Sequence, residues 1–133
     1  MKITKASDIM TKDVITASRD MSITEVMKTI LSEGTSGLPV VDSEGMLEGM
    51  ISEIDLVNSM LSGNAADTSV AEIMSTNVKS FPPDATCAEI ATCFITTKLR
   101  RVPIASQGRV IGIVSRRDVL RELLDSYESI KSE

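Results

Sequence analysis

Apolar and polar positions follow one order along residues 7 to 61 and repeat it along residues 70 to 124. Each stretch opens with a short extended piece, Val14 to Thr16 or Val78 to Phe81. A segment with helical spacing follows, carrying Val26, Met27, Ile30 and Leu31 in the first stretch and Ile90, Ala91, Phe94 and Ile95 in the second. Such spacing gathers the apolar residues on one face and predicts helices that bury it. Ser22 with Glu25, and Thr86 with Glu89, have the spacing of a capping box and mark where these helices start. The apolar runs "LPVVD" and "VPIA" each lead through a Gly-containing turn into "LEGMIS" or "VIGIVS", the pattern of a β-hairpin. A second helix begins at once, with Leu56, Val57, Met60 and Leu61, or Val119, Leu120, Leu123 and Leu124, as its apolar positions. The order strand, helix, strand, strand, helix, given twice, predicts an α+β fold.

The two stretches align residue by residue. Asp8 meets Glu72, Met10 meets Met74, Val14 meets Val78, Glu25 meets Glu89 and Pro39 meets Pro103 at a constant offset. After a deletion of one residue in the second hairpin turn, Gly45 meets Gly108, Gly49 meets Gly112, Ser52 meets Ser115 and Asp55 meets Asp118. Residues 62–69, "SGNAADTS" when extended back to Ser62, are small and polar and read as a linker, and residues 125–133 read as a C-terminal tail. The most specific repeated element is Gly, two apolar residues, Ser, two variable residues and Asp, as "GMISEID" at 49–55 and "GIVSRRD" at 112–118.

Composition removes several chemistries. With no His in the chain, a Ser-His-Asp triad, a Cys-His pair and a His-ligated zinc are excluded. No Gly-rich phosphate loop or paired-glycine dinucleotide turn is present, and no carboxylate pair stands out as acid and base. Aromatics are 2% of the residues and Trp is absent, which argues against a stacking platform for single-stranded nucleic acid. A net charge of −5 argues against general affinity for a polyanionic duplex. The opening "MKITKASDIM" has no apolar targeting region and no run is long enough to span a bilayer, so a cytoplasmic protein is expected. Cys87 and Cys93 lie six apart on an expected helix, on different sides, and read as core thiols rather than a disulfide or metal pair.

The doubled Ser-x-x-Asp turn has two compatible readings. Ser52 and Ser115 can cap the second helices, with Asp55 and Asp118 as the acidic half of a capping box. The same turns present backbone amides at a helix N-terminus, where phosphate is favoured, and a carboxylate able to accept from a ribose 2′,3′-diol. A second asymmetry lies in charge. Within residues 98–117, Lys98, Arg100, Arg101, Arg109, Arg116 and Arg117 occur with no acid, which fits a phosphate clamp, a nucleic-acid patch or a solvated surface.

The repeat, the strands "GLPVVD" and "RVPIA" after a helix, and the two Gly-Ser-Asp motifs together resemble a tandem pair of cystathionine-β-synthase (CBS) domains, a Bateman module, over residues 7 to about 124. The resemblance implies two strand-helix-strand-strand-helix repeats related by a pseudo-twofold axis and packed as one module. It implies a regulatory, noncatalytic sensor of adenosyl ligands (AMP, ADP or ATP, with S-adenosylmethionine or NAD as others), needing no cofactor or metal. The alternative is a structural or oligomerisation module with degenerate sites. Carried onto this chain, one site joins Ser52 and Asp55 to Ser80, Phe81, Arg100 and Arg101, and the other joins Ser115, Arg116, Arg117 and Asp118 to Thr16, Ala17, Ser36 and Gly37. That grouping gives the arginines of "LRRVPI" to the Asp55 site and predicts stronger discrimination for phosphate there. The expected partners are an adenosyl ligand, an unknown effector protein and a second copy of the chain, with Leu56, Met60, Leu120 and Leu124 as candidates for the dimer seam; neither membrane nor nucleic acid is expected.

Overall fold

The computed structural model describes residues 3–131. Its elements in chain order are α1 (Ala6–Ile9), α2 (Ile23–Glu33), β1 (Gly37–Val41), β2 (Leu47–Ser52), α3 (Glu53–Leu61), α4 (Val70–Ile73), α5 (Cys87–Thr96), β3 (Arg101–Ser106), β4 (Arg109–Ser115) and α6 (Arg116–Lys131). The expected α+β class is what the chain adopts, with two small two-stranded sheets. α6 runs on through 125–131, the stretch expected as a tail; residues 132 and 133 of that expected tail lie outside the described residues.

The chain forms two compact units, and neither coincides with a sequence repeat. The β1–β2 unit spans Ile15–Val78 with Gly108–Val110; the β3–β4 unit holds, of the described residues, 3–14, Lys79–Gln107 and 111–131. The opening segment of each repeat therefore belongs to the unit built on the hairpin of the other. In the β3–β4 unit, Thr11 bridges Ile113 through two backbone hydrogen bonds of 2.9 and 3.0 Å. In the β1–β2 unit, Ser75 bridges Met50 in the same way, at 2.9 Å each. The predicted extended pieces do not grow into full strands. A parallel bridge on the other sheet edge is made by Ala17, one residue beyond the first predicted piece, to Val40, and by Phe81, the last residue of the second, to Ile104.

Local chemistry explains the elements. Ser22 Oγ accepts from Glu25 N at 3.2 Å and Thr86 Oγ1 from Glu89 N at 3.1 Å, which starts α2 and α5 where the spacing predicts. These are one-sided caps; the reciprocal exchange occurs instead at the starts of α3 and α6. α2 stops at Gly34, whose φ of 67° is left-handed and suits glycine. The β3–β4 turn is two residues, Gln107 and Gly108, both with positive φ, the geometry that matches strand twist in a tight hairpin. The longer β1–β2 turn is held by Asp42, whose Oδ1 accepts from Glu44 N and Met46 N, both at 2.9 Å.

Each unit has its own core. Ile23, Val26, Ile30, Leu38, Val40, Ile51, Leu56 and Val70 pack in one, and Ile90, Phe94, Val102, Ile104, Val114 and Val119, with buried Cys87 and Cys93, in the other. Both cysteines are free thiols. The predicted helix faces are narrower than expected: Leu31 is 81% exposed and its equivalent Ile95 is 82% exposed. Each lies one residue, about 100° of helix rotation, beyond the last core position, Ile30 or Phe94.

Each motif glycine marks the place where a methionine of the exchanged segment crosses the sheet. A Cβ on Gly49 would lie 2.7 Å from the backbone oxygen of Ser75 and 2.8 Å from Met74 Sδ. On Gly112 it would strike Met10 Sδ and come within 2.7 Å of Met10 Cγ. Gly49→Ala is expected to lose about 1–3 kcal/mol, because the obstacle includes backbone that cannot swing aside. The check is the urea midpoint at constant m-value; an unchanged midpoint would mean that the bridge at Ser75 yields without cost.

Burial, and then the nearby Glu122 carboxylate, push the Cys87 thiol above its ordinary pKa of 9.0. Glu122 is itself held by Thr4 Oγ1 at 2.7 Å and Ser126 Oγ at 3.2 Å. The folded state thus keeps the proton that the unfolded chain releases near pH 9. Stability from this group is complete below about pH 9 and is lost as pH rises through the folded pKa. Cys87→Ala should flatten the decline measured by urea unfolding as pH is raised above 9.

Candidate functional site

The two Ser-x-x-Asp turns have the same geometry, each within its own unit. In the β1–β2 unit, Ser52 N donates to Asp55 Oδ2 at 2.9 Å and Asp55 N to Ser52 Oγ at 3.2 Å. In the β3–β4 unit, Ser115 N donates to Asp118 Oδ2 at 2.8 Å and Asp118 N to Ser115 Oγ at 3.2 Å. Both turns are therefore complete capping boxes, each contributing about 1 kcal/mol to its helix. Capping uses one carboxylate oxygen. Asp55 Oδ1 has no protein hydrogen bond among the described residues, and Asp118 Oδ1 meets only Arg121 Nη1 at 3.4 Å, beyond a good hydrogen bond. Both carboxylates are half-buried, and the second oxygen of Asp118 is shared with the exposed Arg121 guanidinium.

The pre-hairpin turn of each repeat is fastened to the Ser-x-x-Asp turn of the same repeat. Glu53 N donates to Ser36 O at 2.9 Å, and at the equivalent place Arg116 N donates to Arg100 O at 2.9 Å. Gly37 lies so close that a Cβ there would be 3.0 Å from Ile51 O. On the other side Arg116 Nε donates to Leu99 O at 2.7 Å, which fixes its guanidinium beside the turn.

The predicted site residues are thus sorted by unit. Thr16, Ala17, Ser36 and Gly37 belong to the β1–β2 unit with Ser52 and Asp55; Ser80, Phe81, Arg100 and Arg101 belong to the β3–β4 unit with Ser115, Arg116, Arg117 and Asp118. The sequence reading had joined each of these sets to the other turn. Ala17 is buried as the bridge to Val40, with Ala17 N donating to Pro39 O at 2.9 Å, and Thr16 is half-buried beside it. Phe81 holds the equivalent place, partly buried against its core, with Lys79 Nζ 5.1 Å from its ring centroid. Arg100, Arg116 and Arg117 are exposed. Glu53 was missed by the sequence reading; its position opposite Arg116 in the alignment was the available signal.

Among the described residues no group of His, Cys, Asp and Glu is arranged to hold a metal ion, and no helix is long and apolar enough to cross a membrane.

Comparison with known proteins gives the same architecture. The CBS domain profile matches residues 6–62 and again 70–125. A 17.7 kDa protein of Acidianus ambivalens, encoded in the bps2 3′ region, is 32% identical over 125 residues, covering 93% of this chain and 76% of its own. MJ1225 of Methanocaldococcus jannaschii is 27% identical over 116 residues; these are 87% of this chain but only 41% of that protein. The CBS domain pair of protein MJ0100, solved in complex with 5′-methylthioadenosine and S-adenosyl-L-methionine, superposes with a TM-score of 0.85 at 29% identity, covering 94% of this chain and 99% of the other. The doubled motif, the exchanged opening segments and these matches have one explanation: the chain is a tandem CBS domain pair and belongs to that family.

Proposed function

We propose that this CBS pair is a regulatory module that binds adenosyl ligands and performs no chemistry on them. The observation that carries the reading is the doubled carboxylate, Asp55 and Asp118, each capping its helix with Oδ2, while Oδ1 makes no protein hydrogen bond among the described residues in Asp55 and only a long contact to Arg121 in Asp118. A ribose 2′,3′-diol is a donor pair suited to a carboxylate oxygen, and the amides at the start of α6, beside Arg116 and Arg117, favour an anionic 5′ group. The MJ0100 pair, with its bound adenosyl compounds, supports the class of ligand. AMP, ADP and ATP are the nucleotides proposed for this chain. Ser52 and Asp55 act with Thr16, Ala17, Ser36 and Gly37, and Ser115 to Asp118 act with Ser80, Phe81, Arg100 and Arg101. Ser52 and Ser115 are caps and positioning residues; neither has an activating base in its turn.

A second copy of the chain is the proposed partner of the exposed apolar faces. On α6, Leu120, Leu123, Leu124, Tyr127 and Ile130 form a stripe at helical spacing that faces solvent, and on α3 Val57, Met60 and Leu61 do the same. Between α2 and α3 lies an apolar groove of about 330 Å³. Stripes of this kind on a soluble domain mark an association surface. Leu56 drops out of the expected seam, because at 4% exposure it belongs to the core. The occupied dimer would pass its ligand state to an effector protein.

Mass spectrometry of small molecules released by denaturing the purified protein tests the ligand reading. An adenine-containing compound at near-stoichiometric amount is expected. If none is released and none of AMP, ADP, ATP, 5′-methylthioadenosine and S-adenosylmethionine binds when added, the turns only cap helices and the pair is an assembly module.

A further inference from the structure

We infer that the two turns divide adenosyl ligands by charge. The Ser115–Asp118 turn takes a ligand whose 5′ group is a phosphate, and the Ser52–Asp55 turn takes one whose 5′ group is uncharged or cationic, such as a thioether or sulfonium nucleoside. The division rests on the adenosyl reading above and adds a ligand class to each turn.

The two turns are matched in backbone geometry, so the difference lies in the side chains they display. The backbone bonds Glu53 N to Ser36 O and Arg116 N to Arg100 O, both 2.9 Å, fix the correspondence position by position. Where the first turn has Ser36, Glu53 and Ile54, the second has Arg100, Arg116 and Arg117. A surrounding of charge −1 thus becomes one of +3 at the same three places. The arginines are exposed, and Arg116 is held beside the turn by its Nε bond to Leu99 O at 2.7 Å, leaving its outer N–H groups for an anion. A guanidinium offers phosphate a planar, charge-assisted fork. In the first turn the Glu53 carboxylate occupies the corresponding position, repels a phosphate and attracts a sulfonium or ammonium group. This assignment differs from the one expected from sequence, which gave Arg100 and Arg101 to the Asp55 site and only Arg116 and Arg117 to the Asp118 site.

Calorimetry on the full chain with AMP, adenosine and 5′-methylthioadenosine is the test. Asp118→Ala should abolish AMP binding and leave that of 5′-methylthioadenosine, and Asp55→Ala should do the opposite. Exchanging residues between the turns separates charge from capping. Arg100→Ser with Arg116→Glu should weaken AMP at least about tenfold while adenosine affinity changes by less than about twofold, and the AMP affinity of the parent should fall as salt is added. The reciprocal pair Ser36→Arg with Glu53→Arg, placed in Asp118→Ala, should create AMP binding at the first turn. All four positions lie outside both cores, and melting curves confirm that the variants fold. Unchanged AMP affinity after the arginine exchange, or parental AMP affinity in Asp118→Ala, overturns the division while leaving adenosyl binding intact. A parent that binds none of the three probes overturns the adenosyl reading and the division with it.

Discussion

AMP at about 100 times its dissociation constant will stabilise the protein by about 2.7 kcal/mol, because ligand bound only to the folded state adds to unfolding free energy by mass action. For a chain of 133 residues this corresponds to roughly 10 °C in melting temperature. The same experiment separates the two tasks of each aspartate. Replacing Asp55 or Asp118 with Ala removes a cap, so the ligand-free protein should lose about 1 kcal/mol in either case. It also removes the acceptor for the ribose, so the ligand-induced shift assigned to that turn should vanish. The quantity to compare is therefore the shift relative to each variant's own ligand-free baseline. A double variant that keeps the full shift with every adenosyl ligand would show that the carboxylates serve only the helices.

Sedimentation at micromolar protein should give a dimer, and Leu120→Asp combined with Leu124→Asp should give a monomer. Both side chains are more than half exposed in the single chain, so the charges cost the monomer's core nothing. In a dimer seam each would become a buried, unpaired carboxylate at a cost of about 3–5 kcal/mol, which lowers the association constant by a factor of several hundred or more. The combination should still show the ligand-induced melting shift of the parent if the seam and the turns are independent. A parent that remains monomeric up to hundreds of micromolar would assign the α6 stripe to a different protein.

Much of the fold was legible because local rules and the duplication agreed. Ser22 and Thr86 start their helices where the cap spacing places them, and both hairpins fall on the predicted runs. Leu31 and Ile95 were misplaced because apolar character alone does not say where a buried stripe ends. The error about Leu56 has the opposite cause: adjacent apolar positions on α3 face core and solvent in turn, and the sequence marks both alike. For the site, the two Ser-x-x-Asp turns could be read from the sequence as capping boxes, while the unit to which each companion segment belongs could not. Ser36 and Arg100 are seated by backbone bonds from Glu53 and Arg116 of their own repeats, and such bonds leave no trace in side-chain type. Neither four-residue helix, α1 or α4, carries enough residues to show a period.

The exchange of opening segments sets the order in which the chain can be completed during synthesis. Residues 15–78 contain nearly all of the β1–β2 unit, and their partners at Met50 and Ser75 leave the ribosome within a short interval of one another. Thr11 must wait for Ile113, about 100 residues later, before its bridge can close. At ordinary elongation speeds that is a delay of roughly 5–20 s, during which Met10 has no sheet to cross and Gly112 does not yet exist. The opening segment therefore waits unpaired, with Met10 uncovered, until the β3–β4 hairpin has been made.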